Sequence, residues 1–116
     1  MALDTSILST IKTMLSIDDD LDAFDQELLL LINTTFPALE QLGVLGARGF
    51  AATKESKWNE IIPDEKLAGV QSYIFLKVKM IFDAPGTASL QSAYERMISE
   101  VEWRLNVTAE TELSND

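Results

Sequence analysis

Apolar residues recur at intervals of three and four over two long stretches in the second half of the chain. In the first stretch they are Leu67, Val70, Ile74, Val78, Ile81 and Phe82. In the second they are Leu90, Ala93, Tyr94, Met97, Ile98, Val101 and Leu105. This spacing predicts two amphipathic helices. Pro85 and Gly86 lie between them, so the first helix should end near Asp83. Burying both apolar sides at once predicts a long antiparallel helical hairpin over residues 67–107.

The first half of the chain predicts two further helices by the same periodicity. One is capped by Asp4, Thr5 or Ser6 and runs to about Ser16, and its buried positions are Ile7, Leu8, Ile11, Met14 and Leu15. The other covers about 22–42, with Phe24, Leu28, Leu31, Ile32, Phe36, Leu39 and Leu42 on its inner side. Pro37 should kink this helix without ending it, and Gly43 supplies a C-terminal stop.

The connection between the second helix and the hairpin is the least regular part of the chain. Residues 43–57 contain three glycines and form a predicted irregular loop. A short helical turn at 56–62 should carry Trp58 inward, and Pro63 suits the start of the long helix. After Val107, residues 108–116 are acidic and polar without periodicity, which predicts a flexible tail.

These elements predict an all-α fold. We expect a small bundle of about four to five helices built around the long antiparallel hairpin. With 116 residues there is room for one domain, which we place at 1–107, with 108–116 as the tail. No apolar run approaches the roughly 18–20 residues of a membrane span, so we expect no membrane contact.

The composition argues against catalysis and against nucleic-acid binding. The chain contains no Cys and no His, which excludes thiolate chemistry, Ser–His nucleophiles and the usual structural zinc sites. We therefore expect no enzyme, no catalytic residues, no metal and no cofactor. The formal net charge is −10, and the nine basic residues are scattered, whereas DNA binding by counterion release needs clustered cations.

An acidic turn between the first two helices raises the question of calcium. Asp18, Asp20 and Asp22 fit the first, third and fifth positions of an EF-hand loop. Ala23 then stands where the loop needs glycine, and Leu29 stands where it needs a bidentate glutamate. We interpret the segment as a solvated, helix-capping turn.

Several large side chains lie off the main apolar stripes of the hairpin. Surplus aromatic and aliphatic surface of this kind indicates a protein interface, unless neighbouring helices of the same chain cover it. Both readings remain open from the sequence. Together with two residues of the irregular loop, the interface candidates are Tyr73, Phe75, Leu76, Trp103, Arg48 and Phe50.

The sequence also resembles the small head–tail connector proteins of tailed bacteriophages, also called head-completion or neck adaptor proteins. Segments 6–8, 14–18, 31–33 and 41–44 resemble the N-terminal half of that family. Segments 70–79, 82–85 and 100–107 resemble its YxxLKV, FDPP and ExEWRLNV blocks. Ala84 departs from the first proline of the FDPP turn. The resemblance covers roughly residues 5–107.

The resemblance implies a structural virion protein without catalytic residues. Such proteins form a ring, commonly of twelve copies, beneath the portal protein, extend the DNA channel and dock the next neck or tail component. DNA would pass without specific binding, and assembly would take place in the host cytoplasm. We expect the loop 43–57 and the tail 108–116 to act in docking. Whether free copies are monomers stays open. The alternative is a small acidic helical binding module, either regulatory or a DNA mimic.

Overall fold

The computed structural model describes residues 5–43, 51–61 and 67–114, and their side chains as far as Val107. The helices are α1 (Ile7–Met14), α2 (Asp25–Gln41), α3 (Leu67–Phe82) and α4 (Ala88–Ser114), with a short 3-10 turn at Trp58–Glu60. In these ranges the only strand-like pairing is one antiparallel bridge between Ser6 and Lys57. The predicted all-α bundle is confirmed. Asp4 and Pro63 lie outside the described residues.

Helix α3 is the central element of the bundle, because it packs against each of the other three helices. Many of the predicted inner positions meet around it, but Phe24, which was predicted to face inward on α2, is 40% exposed. The fully buried side chains include Ile7, Ile11, Leu28, Ile32, Leu39, Trp58, Val70, Tyr73 and Ile74. Burial of each large apolar side chain contributes about 1.5–3 kcal/mol before conformational entropy is counted. A helix buried on several sides needs apolar residues beyond one stripe, which α3 has.

Helix α1 ends earlier than the sequence predicts. It stops at Met14, because Ser16 adopts a left-handed backbone conformation with φ of 63°. The Ile17 N–H donates to the Lys12 carbonyl at 2.8 Å, and the Ser16 N–H donates to the Thr13 carbonyl at 3.0 Å. These two bonds form a Schellman motif, which satisfies carbonyls that the helix end leaves free.

The predicted continuation of α2 past its proline and the predicted glycine at its C-terminus are confirmed. The helix continues through Pro37, and Gly43 follows it with φ of 79°, a conformation that costs glycine little. Its N-terminus lies at Asp25, a little later than predicted, after a turn in which the Asp25 N–H donates to the Asp22 carbonyl.

The tail prediction requires a correction. Helix α4 continues past Val107 to Ser114, where the sequence analysis expected helical structure to have ended. The segment 108–114 has no glycine or proline to stop a helix, and its Ala, Glu and Leu residues have good helix propensity. Local propensity can therefore extend a helix after its apolar period has ended.

The described part of the irregular loop is anchored to the helices. The Asn33 side chain on α2 accepts a hydrogen bond from the Ala52 N–H at 2.7 Å and donates one to the Ala52 carbonyl at 3.2 Å. The Ile7 N–H donates to the Ser56 carbonyl at 3.0 Å. Residues 51–57 are therefore irregular, as predicted, but they are fixed against α1 and α2.

The acidic turn between α1 and α2 encloses a lysine. Lys12 is 2% exposed, and its ammonium donates to the carbonyls of Asp19 at 3.0 Å and Leu21 at 2.7 Å. The same Nζ lies 2.9 Å from Oδ1 of Asp25, and the exposed Lys54 Nζ lies 3.9 Å from Oδ2. The carbonyls of this turn thus face a cation that the chain itself supplies, which is consistent with a structural role for the turn.

Candidate interaction surface

Helices α3 and α4 form the predicted antiparallel hairpin. The Tyr73 hydroxyl on α3 donates to Oε2 of Glu102 on α4 at 2.9 Å. About one helical turn further from the turn that joins the two helices, a Cβ atom on Gly69 would lie only 3.0 Å from Cδ2 of Leu105. The missing side chain at Gly69 therefore allows the two helices to approach closely at this point.

Tyr73 is fully buried between these helices. Burial raises the pKa of its phenol, and the hydrogen bond to Glu102 and the negative charge of Glu102 raise the pKa further. All three effects disfavour the phenolate. A neutral phenol at this position therefore contributes to the stability of the hairpin.

We predict that this phenol makes the protein lose stability in alkaline solution. Because the folded-state pKa is raised, the contribution is complete below the unfolded-state value near 10 and is lost as the pH rises above it. Above pH 10, the loss of unfolding free energy approaches about 1.4 kcal/mol per pH unit. Urea unfolding between pH 8 and 11 should show a flatter decline for Tyr73→Phe than for the unchanged protein. Tyr94→Phe, at a half-buried position, is the control and should keep the steep decline. Equal slopes for the two variants would contradict the prediction.

Helix α4 leaves most of its surface uncovered. Over its described side chains, 88–107, only Leu105 is buried. The exposed large apolar side chains are Leu90 at 47%, Met97 at 40%, Trp103 at 65% and Val107 at 36%. Leu90 and Met97 were predicted to be buried, as was Ile81 on α3, which is 68% exposed. The prediction was wrong there because the apolar stripe is wider than the strip of contact between the two helices. Exposed apolar surface of this extent is typical of protein interfaces.

A groove runs along one flank of the hairpin. We call it the α3–α4 groove, and its volume is about 500 Å³. Its apolar lining comprises Met14, Phe75, Leu76, Tyr94, Met97 and Val101. Glu100 and Arg104 also border it and form an ion pair, with both side chains mostly exposed. The groove is therefore apolar inside and charged at one border.

The interface candidates from the sequence divide into three groups. Tyr73 is covered within the chain, as the alternative reading allowed. Phe75, which is half-buried, and Leu76, which is 7% exposed, line the groove. Trp103 lies exposed on α4 and is not among the groove residues. Arg48 and Phe50 lie outside the described residues.

Some residues that matter for this surface were not singled out from the sequence. Met14 at the end of α1 was assigned to the core, but it is 38% exposed and contributes to the groove. Asn33 gave no signal, because an isolated asparagine in a helix does not reveal that its amide binds a distant backbone segment. Both roles depend on neighbours that are far away along the chain.

The described part of the hairpin offers an uncovered apolar surface. Among the residues that the structure describes, no group of three or more His, Cys, Asp or Glu side chains is placed to hold a metal ion. Within the same residues, no helix combines the length and the apolar character needed to cross a bilayer. A helical bundle with an uncovered apolar hairpin is typical of proteins that act by packing against other proteins.

Comparison with protein families identifies which class of structural protein this is. The family model described as phage connector protein matches residues 7–112, and the chain belongs to that family. The resemblance seen in the sequence is thereby confirmed. The family is one of structural proteins, so the chain is a virion component with a structural role in the head–tail connector. No curated protein matches the chain, and no solved structure matches it.

Proposed function

We propose that copies of this chain assemble as a ring beneath the portal protein, extend the DNA channel and dock the next neck or tail component. The observation that carries the proposal is the uncovered apolar surface of α4, where only Leu105 of the described side chains is buried. A chain that served only as an isolated monomer would gain nothing from exposing Trp103 and Met97 to water. Membership of the phage connector family supports the same role.

We further propose that DNA passes through this ring without specific binding. The net charge of −10 opposes contact with phosphates, and the acidic turn presents Asp18, Asp19, Asp20 and Asp22 to solvent. Clustered cations on a channel wall would bind the phosphates and retain the genome, whereas an acidic wall lets DNA slide. Assembly of the ring would take place in the host cytoplasm before the tail is joined.

Residues 1–107 would form the connector domain, and 108–116 would dock a neighbouring component, together with the loop 43–57. Deleting 108–116 should then leave the cooperative unfolding of the domain intact while weakening assembly, and the helical circular dichroism should fall only by the share of the last seven residues of α4. This deletion separates a docking role from a folding role, because Leu105, the last buried residue of α4 among the described side chains, is retained.

Electron microscopy of the purified protein mixed with portal rings of the same phage tests the proposal. We expect an additional annulus of density, coaxial with the portal ring. Portal rings mixed with an unrelated acidic helical protein of similar size provide the control. Portal rings that stay bare at high protein concentration would contradict the proposal. Tight binding of the monomer to a basic host protein would instead favour the regulatory or DNA-mimic alternative.

A further inference from the structure

Two apolar features lie on different sides of α4. One is the α3–α4 groove, to which α4 contributes Met97 and Val101. The other is formed by Trp103 and Val107, which are 65% and 36% exposed. Since Trp103 and Val107 are four residues apart, they lie on the same side of the helix. We call this second feature the Trp103 face.

The groove and the Trp103 face point in different directions from the axis of α4, and this limits how two copies of the chain can pair. Trp103 follows Met97 by six positions, and at 3.6 residues per turn their directions differ by about 120°. A two-fold contact presses one patch against itself, so it needs both features on a single side of the molecule. A heterologous contact uses two different surfaces of each copy and can bury both features, and repetition of such a contact gives a ring when the rotation between copies closes.

The charge distribution points to a second copy as the occupant of the groove. Within 67–107 the positive and negative side chains balance. The positive ones are Lys77, Lys79, Arg96 and Arg104, and the negative ones are Asp83, Glu95, Glu100 and Glu102. The whole net charge of −10 therefore resides outside residues 67–107, and two of these charges, Glu110 and Glu112, belong to the last turns of α4. Two identical acidic chains repel each other wherever their acidic parts meet, so the neutral part of the hairpin, 67–107, is where they can approach.

We propose that neighbouring copies in the ring join through a heterologous contact in which the Trp103 face of one copy enters the α3–α4 groove of the next. The contact rests on the proposed ring function and specifies its subunit interface. Trp103 is the anchor, since a tryptophan buries about 150–250 Å² and is the kind of residue that dominates interface energies. Phe75 and Met97 are its receiving side chains in the groove.

The opposite flank of the hairpin fits this role less well. Its depression around Ile81 is also lined by Lys77, Glu95 and Glu102, and Glu102 accepts the hydrogen bond of the buried Tyr73. Seating an indole there would remove these charged groups from water without new partners for them. In the α3–α4 groove the charged groups are Glu100 and Arg104, which already pair with each other.

Disulfide trapping tests the contact directly, since the chain contains no cysteine and every cysteine is an introduced one. Full-length Trp103→Cys and Met97→Cys variants are mixed in equal amounts and oxidised mildly, alone and with portal rings. The expected product is the mixed 1:1 dimer in at least fivefold excess over either homodimer. A chain carrying both substitutions should give a ladder of covalent multimers. In the control mixture, Leu30→Cys on α2 replaces Trp103→Cys, because Leu30 is exposed to the same degree as Trp103 (66% and 65%). This mixture should give no excess of the mixed dimer over the homodimers.

A matched pair of charge substitutions supplies the second measurement. Trp103→Glu and Leu30→Glu each place an acid at an exposed apolar position, so both variants should fold. Trp103→Glu should weaken ring formation on the portal at least tenfold, whereas Leu30→Glu should leave it unchanged.

The outcomes separate this inference from the proposed function. Rings that form on the portal without the Trp103–Met97 cross-link, and that tolerate Trp103→Glu, would overturn the inference and leave the ring function standing. The cross-link without any ring on the portal would support the contact and overturn the ring function. Absence of both would overturn both.

Discussion

Replacing Lys12 by methionine is expected to lower the free energy of unfolding by about 3–5 kcal/mol. Lys12 is almost fully buried, and its ammonium is the 2.9 Å ion partner of Asp25, which is itself 7% exposed. Without Lys12, the Asp25 carboxylate stays buried, and its remaining ion partner among the described residues is Lys54, at 3.9 Å and largely in solvent. The carbonyls of Asp19 and Leu21 also lose their donor. A loss of this size is a large part of the total stability of a small domain.

Urea unfolding followed by circular dichroism measures this effect. Lys79→Met is the matched control, because Lys79 also pairs with an aspartate at 2.9 Å, but that partner, Asp83, is exposed. The control should cost no more than about 0.5 kcal/mol. The double variant Lys12→Met with Asp25→Leu should recover part of the loss, since it leaves no buried charge without a partner. If Lys12→Met and Lys79→Met cost the same, the buried pair does not stabilise the fold as described.

Replacing Trp58 by alanine is the second substitution with a large expected effect, a loss of about 3–5 kcal/mol. The indole is fully buried, and its Nε1–H donates to the Thr10 hydroxyl at 3.0 Å. It joins the 3-10 turn to α1. Alanine would leave a large cavity where these elements meet, and the cost of such a cavity grows with its volume. Thr10 would remain satisfied, because its hydroxyl also donates to the Ser6 carbonyl at 2.9 Å. The loss of unfolding free energy therefore measures the packing contribution of the indole.

The chain provides its own control in the other tryptophan. Trp103→Ala removes the same side chain from a position that is 65% exposed. The free energy of unfolding of the isolated protein should therefore change by no more than about 0.5 kcal/mol. Thermal unfolding followed by circular dichroism compares the two variants without relying on tryptophan fluorescence. Similar losses for both substitutions would mean that Trp103 is covered within the folded chain, which would also remove the basis for the subunit contact.

The resemblance to connector proteins was visible in the sequence because it rests on short blocks of residues, which include Tyr73 and Trp103. The role of each block within the fold was not visible. Tyr73 and Trp103 were both candidates for an interface, yet the first is buried by α4 and the second is exposed on it. Periodicity assigns a residue to a side of its own helix, but it does not say whether another helix covers that side.

The sequence by itself determined the helices, the turn that joins the hairpin, the continuation through Pro37 and the inward position of Trp58. These features depend on contacts or conformations within a few residues, so local patterns of apolar residues, proline and glycine encode them. Only the tertiary structure decided that Lys12 lies inside the acidic turn, that Asn33 holds Ala52, and that α4 keeps its apolar surface uncovered. These arrangements join residues far apart in the chain. Their energies arise from packing and from burial of charge, which do not exist until the helices have come together.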